Sequence, residues 1–168
     1  MRQLLPWMIR DDPSYDPNLI GAISQAKVMA ALVEAGKYLL IPYVNVGPYD
    51  LVIEEEGKFF RVQCKTGRIS RGAILFRPHR LRAAKRETGW ERRVTDYQGD
   101  IDYFGVYCPE NGDVYLIPIG DVKTHRACSL RLVPAKNNQS KKIRWARDYL
   151  VVPLHASQQP PAEMSVIN

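Results

Sequence analysis

Two runs, "LVIEE" and "FFRVQCKT", flank the turn sequence "EGK" between Leu51 and Thr66. Both are short, rich in β-branched and aromatic residues and bounded by turn formers, so they read as antiparallel strands of one hairpin. Alternation along the second run sets Phe60, Val62 and Cys64 on one face and Arg61, Gln63 and Lys65 on the other. Upstream, "NLIGAISQAKVMAALVEAG" has apolar residues at Ile20, Ile23, Val28, Leu32 and Val33, the spacing of one helix buried on one face. Asn18 is its expected N-cap and Gly36 its expected stop. "KYLLIPYVNV" reads as a further strand and "GPYD" as a turn, so the chain opens as a helix followed by a β-meander.

The rest is less regular. "GAILFRP" reads as a fourth, peripheral strand, and the highly charged stretch from Pro78 to Gly99 as a loop or short irregular helix. "DYFGVYC" and "DVYLIPI" form a hairpin around "PENG", "SLRLVP" is one more strand, and "KKIRWARDYL" fits either a last strand or a helical turn. The length suits a single domain over 1–156 with its core at about 18–150. The tail 157–168 reads as disordered. The amino terminus "MRQLLPWMIRDDP" has no continuous apolar run of the kind a signal peptide or membrane span needs, which gives an expectation of an intracellular, cytoplasmic protein without a membrane partner. Cys64, Cys108 and Cys128 are odd in number, far apart and without CxxC spacing, so they are expected to be reduced and partly buried.

The net charge of +6 is concentrated rather than spread. From Lys65 to Arg93 ten basic residues (Lys65, Arg68, Arg71, Arg77, Arg80, Arg82, Lys85, Arg86, Arg92, Arg93) face two acids, Glu87 and Glu91. A second group, Lys136, Lys141, Lys142, Arg144 and Arg147, lies near the end. Two such clusters point to a polyanionic partner.

Asp50 opens the first strand of the hairpin, and Gln63 and Lys65 stand near the end of the second, so antiparallel pairing lets the three converge. An aspartate oxygen, an amide oxygen and a main-chain carbonyl can hold a hard cation such as Mg²⁺. An ammonium beside them can orient an attacking water and offset charge on a phosphate. Singly, each residue has a plain structural reading: Asp50 as a turn residue, Gln63 and Lys65 as a solvent-facing strand, Gln25 as a core amide bonded to backbone.

With "PYD", "VQCK" and the helix before them, the chain resembles the PD-(D/E)XK nuclease superfamily, with glutamine in "QCK" where most members carry Asp or Glu. That variant is similar to the homing endonucleases of group I introns, as are "GAISQAKV", "YFGVYCPENGDVYLIPI" and "KNNQSKKIRWARDYL". The resemblance implies an α/β fold with an αβββαβ core, its central mixed β-sheet flanked by helices. It implies Asp50 as the central ligand of Mg²⁺ or Mn²⁺, the Gln63 amide oxygen and the Cys64 carbonyl as further ligands, and Lys65 acting on the attacking water. Gln25 stands where the family's first helix often supplies an acid, on a stripe with Ala22, Met29 and Leu32. Glu34, nine residues on, falls on the opposite face. A neutral Gln25 leaves three readings open: a native weak-metal site, a substitution that silences catalysis, or a degenerate nuclease that only binds. The implied partner is double-stranded DNA, gripped through Arg68, Arg71, Arg77, Arg80, Arg82, Lys85, Arg86, Arg92 and Arg93, with base readout between Ser70 and Arg93. The implied assembly is a homo-oligomer, dimer or tetramer, that makes a double-strand break at a specific site. A Holliday-junction resolvase and a catalytically silent DNA-binding protein are the alternatives.

Overall fold

A computed structural model describes residues 16–44, 46–86, 89–123, 127–134 and 143–154, with the backbone alone for 82–86 and 90–93. Helix α1 spans Pro17–Glu34. Its N-cap is Asp16, whose carboxylate accepts the Asn18 N–H at 2.8 Å, not Asn18 itself. Pro17, which has no N–H to satisfy and a helical φ, takes the first helical position and so puts the cap two residues upstream of the expected one. Gly36 ends the helix as expected. Its N–H bonds to the Val33 carbonyl at 2.9 Å, and the Lys37 N–H reaches back to Leu32 at 2.9 Å, satisfying carbonyls the last turn leaves open. The buried stripe is Ser24, Val28 and Leu32. Val33, expected on that face, is 60% exposed, and Ala22 is exposed too.

Five strands form the central sheet in the order β1 (Tyr38–Leu40), β2 (Leu51–Glu55), β3 (Lys58–Thr66), β8 (Tyr103–Tyr107), β9 (Val114–Pro118). β1 is shorter than its sequence run suggests, because Ile41, Tyr43, Val44 and Val46 continue as exposed irregular chain. β2 and β3 pair antiparallel from Leu51↔Val62 to Glu55↔Lys58. Their turn has Glu56 and Gly57 at φ 53° and 75°, both positive as a type I′ hairpin needs. β3 and β8 pair in parallel, Val62↔Tyr103 to Thr66↔Tyr107, which makes the sheet mixed.

Each sheet face buries a separate cluster. On one side α1 lays Val28 and Leu32 onto Leu51, Ile53, Val62 and Cys64. On the other, Phe104, Val106, Tyr115 and Ile117 pack with Ile74, Phe76, Tyr97 and Leu130. Burial of side chains this size stabilises by about 1.5–3 kcal/mol each, so the sheet is fixed from both sides. Gln63 and Lys65, alternating with Val62 and Cys64, project on the side away from α1.

Between β3 and β8 the chain runs through β4 (Arg68–Ser70), β5 (Ala73–Phe76), β6 (Arg80–Arg86) and β7 (Gly89–Thr95). The α/β class and mixed central sheet are as expected; where the resemblance implied a second helix, the described residues of this connection form strands and turns. β5 is not peripheral. It is the middle of a second sheet, β10-β5-β4, with β10 spanning Cys128–Arg131, and its Ala73, Ile74 and Phe76 are buried. The expected loop or irregular helix from Pro78 to Gly99 is instead an antiparallel ribbon, β6 against β7, in register from Arg80↔Thr95 to Arg86↔Gly89. Of its described side chains the apolar Leu81 and Val94 are exposed, and its charged sequence lacks the apolar alternation by which strands are recognised.

The hairpin around "PENG" forms as β8 and β9. In "KKIRWARDYL" the ambiguity resolves to a bridge between Trp145 and Arg131 followed by a 3₁₀ turn, Ala146–Tyr149. All three cysteines are free and buried, and burial pushes each thiol's pKa up, so they stay neutral. Among the described residues no helix is long and apolar enough to cross a membrane. The expected disordered tail, the amino-terminal run, Lys136, Lys141 and Lys142 lie outside the described residues.

Candidate active site

Register places the site. Asp50 immediately precedes β2, and its N–H bonds to the Val62 carbonyl at 2.9 Å, which sets its side chain against Gln63. Asp50 Oδ2 accepts the Cys64 backbone N–H at 2.7 Å and a short hydrogen bond from Gln63 Nε2. The same Gln63 nitrogen lies 3.3 Å from the Cys64 carbonyl. From α1, Gln25 Nε2 reaches the Asp50 carbonyl at 3.5 Å, so its amide sits at the back of the aspartate.

Burial pushes the Asp50 carboxyl above the usual carboxylate range, opposed by the Cys64 hydrogen bond and the positive charge of Lys65. A cation arriving at Asp50 would relieve that cost. The Gln63 amide lies between the Asp50 carboxylate and the Cys64 carbonyl, and half a turn about its last bond would present Oε1 in place of the NH₂. The donors are all hard oxygens, so the set fits a divalent ion such as Mg²⁺ with a single carboxylate. Among the described residues no group of three or more His, Cys, Asp or Glu gathers to hold a metal, at this site or at another, and Asp50 is the one carboxylate of the set.

Lys65 is held by groups the sequence did not single out. Its Nζ donates to Tyr97 Oη at 2.9 Å and to the His79 carbonyl at 3.3 Å, and stands 4.7 Å from the centre of the Tyr97 ring. Burial brings its pKa down to about 8; Asp50 and Cys64 pull it up, and Arg80 pushes it down again. Tyr97 carried no signal, because it sits past the charged run in "DYQGD", outside any apolar period.

The basic residues divide. Arg68, Arg71 and Arg77 are exposed. Arg80 is turned inward, its side chain 16% exposed, paired with Asp100 and Thr95 and lying 4.9 Å from the Tyr97 ring. Arg82, Lys85, Arg86, Arg92 and Arg93 are strung along the ribbon, Arg82 opposite Arg93. Lys65 also lines a cleft of about 820 Å³ with Arg68, Arg77, His79, Arg80 and the start of α1. One lysine thus lies both beside the Asp50, Gln63 and Cys64 hydrogen-bond network and in the wall of a basic cleft.

Residues 15–152 match the profile of a family described as PD-(D/E)XK endonuclease. Among solved structures, a bacterial homing endonuclease, I-Ssp6803I, superposes with a TM-score of 0.61 at 20% sequence identity, over 80% of this chain and 88% of that one. A comparison with curated proteins finds no significant match. The profile runs from the residue before the α1 cap to just past the last 3₁₀ turn and takes in the whole Asp50, Gln63 and Lys65 constellation, and on that match the chain belongs to the PD-(D/E)XK endonuclease family.

Proposed function

We propose that the protein is a site-specific DNA endonuclease of the homing type that hydrolyses phosphodiesters with Mg²⁺ or Mn²⁺ and, as a homo-oligomer, breaks both strands. The observation that carries this reading is the meeting of Asp50, Gln63 and the Cys64 carbonyl within one hydrogen-bond network beside the Lys65 ammonium. Asp50, the Gln63 amide oxygen and the Cys64 carbonyl would hold the ion, which when bound polarises a phosphate oxygen. Lys65 orients the attacking water and offsets charge on the phosphate, and loss of one such donor costs about 10²–10³ in rate. Arg68 and Arg77 at the cleft mouth take the DNA backbone, and the β6–β7 ribbon is sized to enter a groove. One site cuts one strand, so a double-strand break calls for two copies on a pseudo-palindromic target.

One observation favours a second reading. Both amides beside Asp50, Gln25 and Gln63, are neutral, which weakens the hold on a cation and fits a DNA-binding protein without cleavage. Incubating a pool of long duplexes, including the encoding locus with its intervening sequence removed, with the protein and Mg²⁺ separates the two. Defined cuts that vanish in Lys65→Ala support the nuclease; salt-sensitive binding without cuts, by the protein and by Gln25→Glu alike, supports the silent binder. Preference for a four-way junction over duplex would instead make it a resolvase.

A further inference from the structure

Lysine carries a flexible four-carbon stem, and holding its ammonium in one place needs a rigid acceptor. Tyr97 is such an acceptor. It is 3% exposed, its ring meets Phe104 edge-on at 5.5 Å and 90°, and its carbonyl accepts the N–H groups of Asp100 at 3.0 Å and Ile101 at 3.3 Å. Ring and backbone are therefore both fixed by the core beneath β8. The hydroxyl of this fixed residue lies 2.9 Å from Lys65 Nζ, closer than the His79 carbonyl at 3.3 Å, and two cations lie near the ring centre, Lys65 at 4.7 Å and Arg80 at 4.9 Å. Arg80 is in turn tied to Thr95 and Asp100, which keeps its guanidinium beside the ring.

We propose that Tyr97 is a positioning residue that fixes the Lys65 ammonium at the end of β3 through its hydroxyl. The role for the lysine rests on the nuclease reading; the hold on the lysine does not. Tyr97→Phe removes the hydroxyl alone and leaves the ring, the Phe104 contact and the two flanking cations. Displacing a reacting group by about 1 Å costs on the order of 10²-fold, so single-turnover cleavage by Tyr97→Phe should fall about 10- to 100-fold with KM and duplex affinity unchanged. In protein labelled with ¹⁵N-lysine, an ammonium held this way gives a slowly exchanging ¹H–¹⁵Nζ peak. It should be present in the parent protein, absent in Lys65→Ala, which assigns it, and absent in Tyr97→Phe.

A Lys65 peak that persists in Tyr97→Phe, or none in the parent, overturns the proposal. So does cleavage by Tyr97→Phe at the parent rate, or a raised KM with kcat intact, which would make Tyr97 a DNA-binding residue. If the parent does not cleave at all, the nuclease reading fails by itself, and the ammonium peak still decides whether Tyr97 holds Lys65.

Discussion

Gly105 of β8 lies beneath Val28 of α1, so close that a β-carbon on the glycine would stand 2.6 Å from Val28 Cγ1 and 3.2 Å from Val62 Cγ1. Both valines are fully buried and have no room to move. Gly105→Ala is therefore expected to destabilise the fold by about 1–3 kcal/mol, read as a lower urea midpoint with an unchanged slope. It should also lift the helix that carries Gln25. An unchanged midpoint would mean that α1 rides more loosely on the sheet than its packing indicates.

The depressed pKa of Lys65 couples stability to pH. Its folded value of about 8 lies below the ordinary lysine value of 10.5, so between these the unfolded chain binds more protons than the folded one. Stability contributed at this position must then rise as pH increases from about 8 towards 10.5, and the charged lysine costs most below that window. Lys65→Met, which keeps the stem and drops the charge, should be the more stable protein at neutral pH, with the difference closing as pH rises. Urea midpoints of the two metal-free proteins across this range test the sign.

Replacing Gln63 by glutamate sets a second carboxylate against Asp50 Oδ2, where an N–H now donates. Without metal the like charges should lower stability by about 1–3 kcal/mol at neutral pH. Mg²⁺ should restore it, because the ion has two carboxylates to bind. Thermal unfolding of Gln63→Glu with Mg²⁺ and with a chelator reads this directly, and a Tm insensitive to the ion would remove Gln63 from the proposed ligand set.

Arg68 and Arg77 line the cleft mouth without being needed by the core. Each alanine replacement should weaken duplex binding about equally for all sequences and reduce the slope of log K against log salt by about one. Arg80→Ala should behave differently, losing stability through Asp100 and Thr95 as well as affinity. Equal salt slopes in the parent and in Arg77→Ala would place the duplex elsewhere.

How legible this architecture is from sequence depends on what each residue is paired with. Asp50, Gln63 and Lys65 converge through one hairpin, and a tight turn at Gly57 plus period-two alternation fixes their register from local sequence alone. The identity of the helix and its stop at Gly36 were legible for the same reason. Its start was not, because Asp16 and Asn18 are both good caps and only the proline between them decides. β5 reads as peripheral because nothing local tells that β10, far along the chain, will pair with it. The β6–β7 ribbon is too rich in charge to show an apolar pattern, and Tyr97 acquires its meaning only when the chain returns to lie beside Lys65.

The parallel pairing of β3 with β8 also orders events in time. Asp50 and Gln63 are 13 residues apart and meet as soon as one hairpin closes, whereas Lys65 and Tyr97 are 32 apart and meet only after the whole excursion through β4 to β7 has returned. A chain emerging from the ribosome can therefore bring Asp50 and Gln63 together while the anchor of its lysine has yet to be synthesised. A truncated or half-made product would carry that contact without the fixed ammonium, and the full constellation would arrive only once the chain has passed Tyr97.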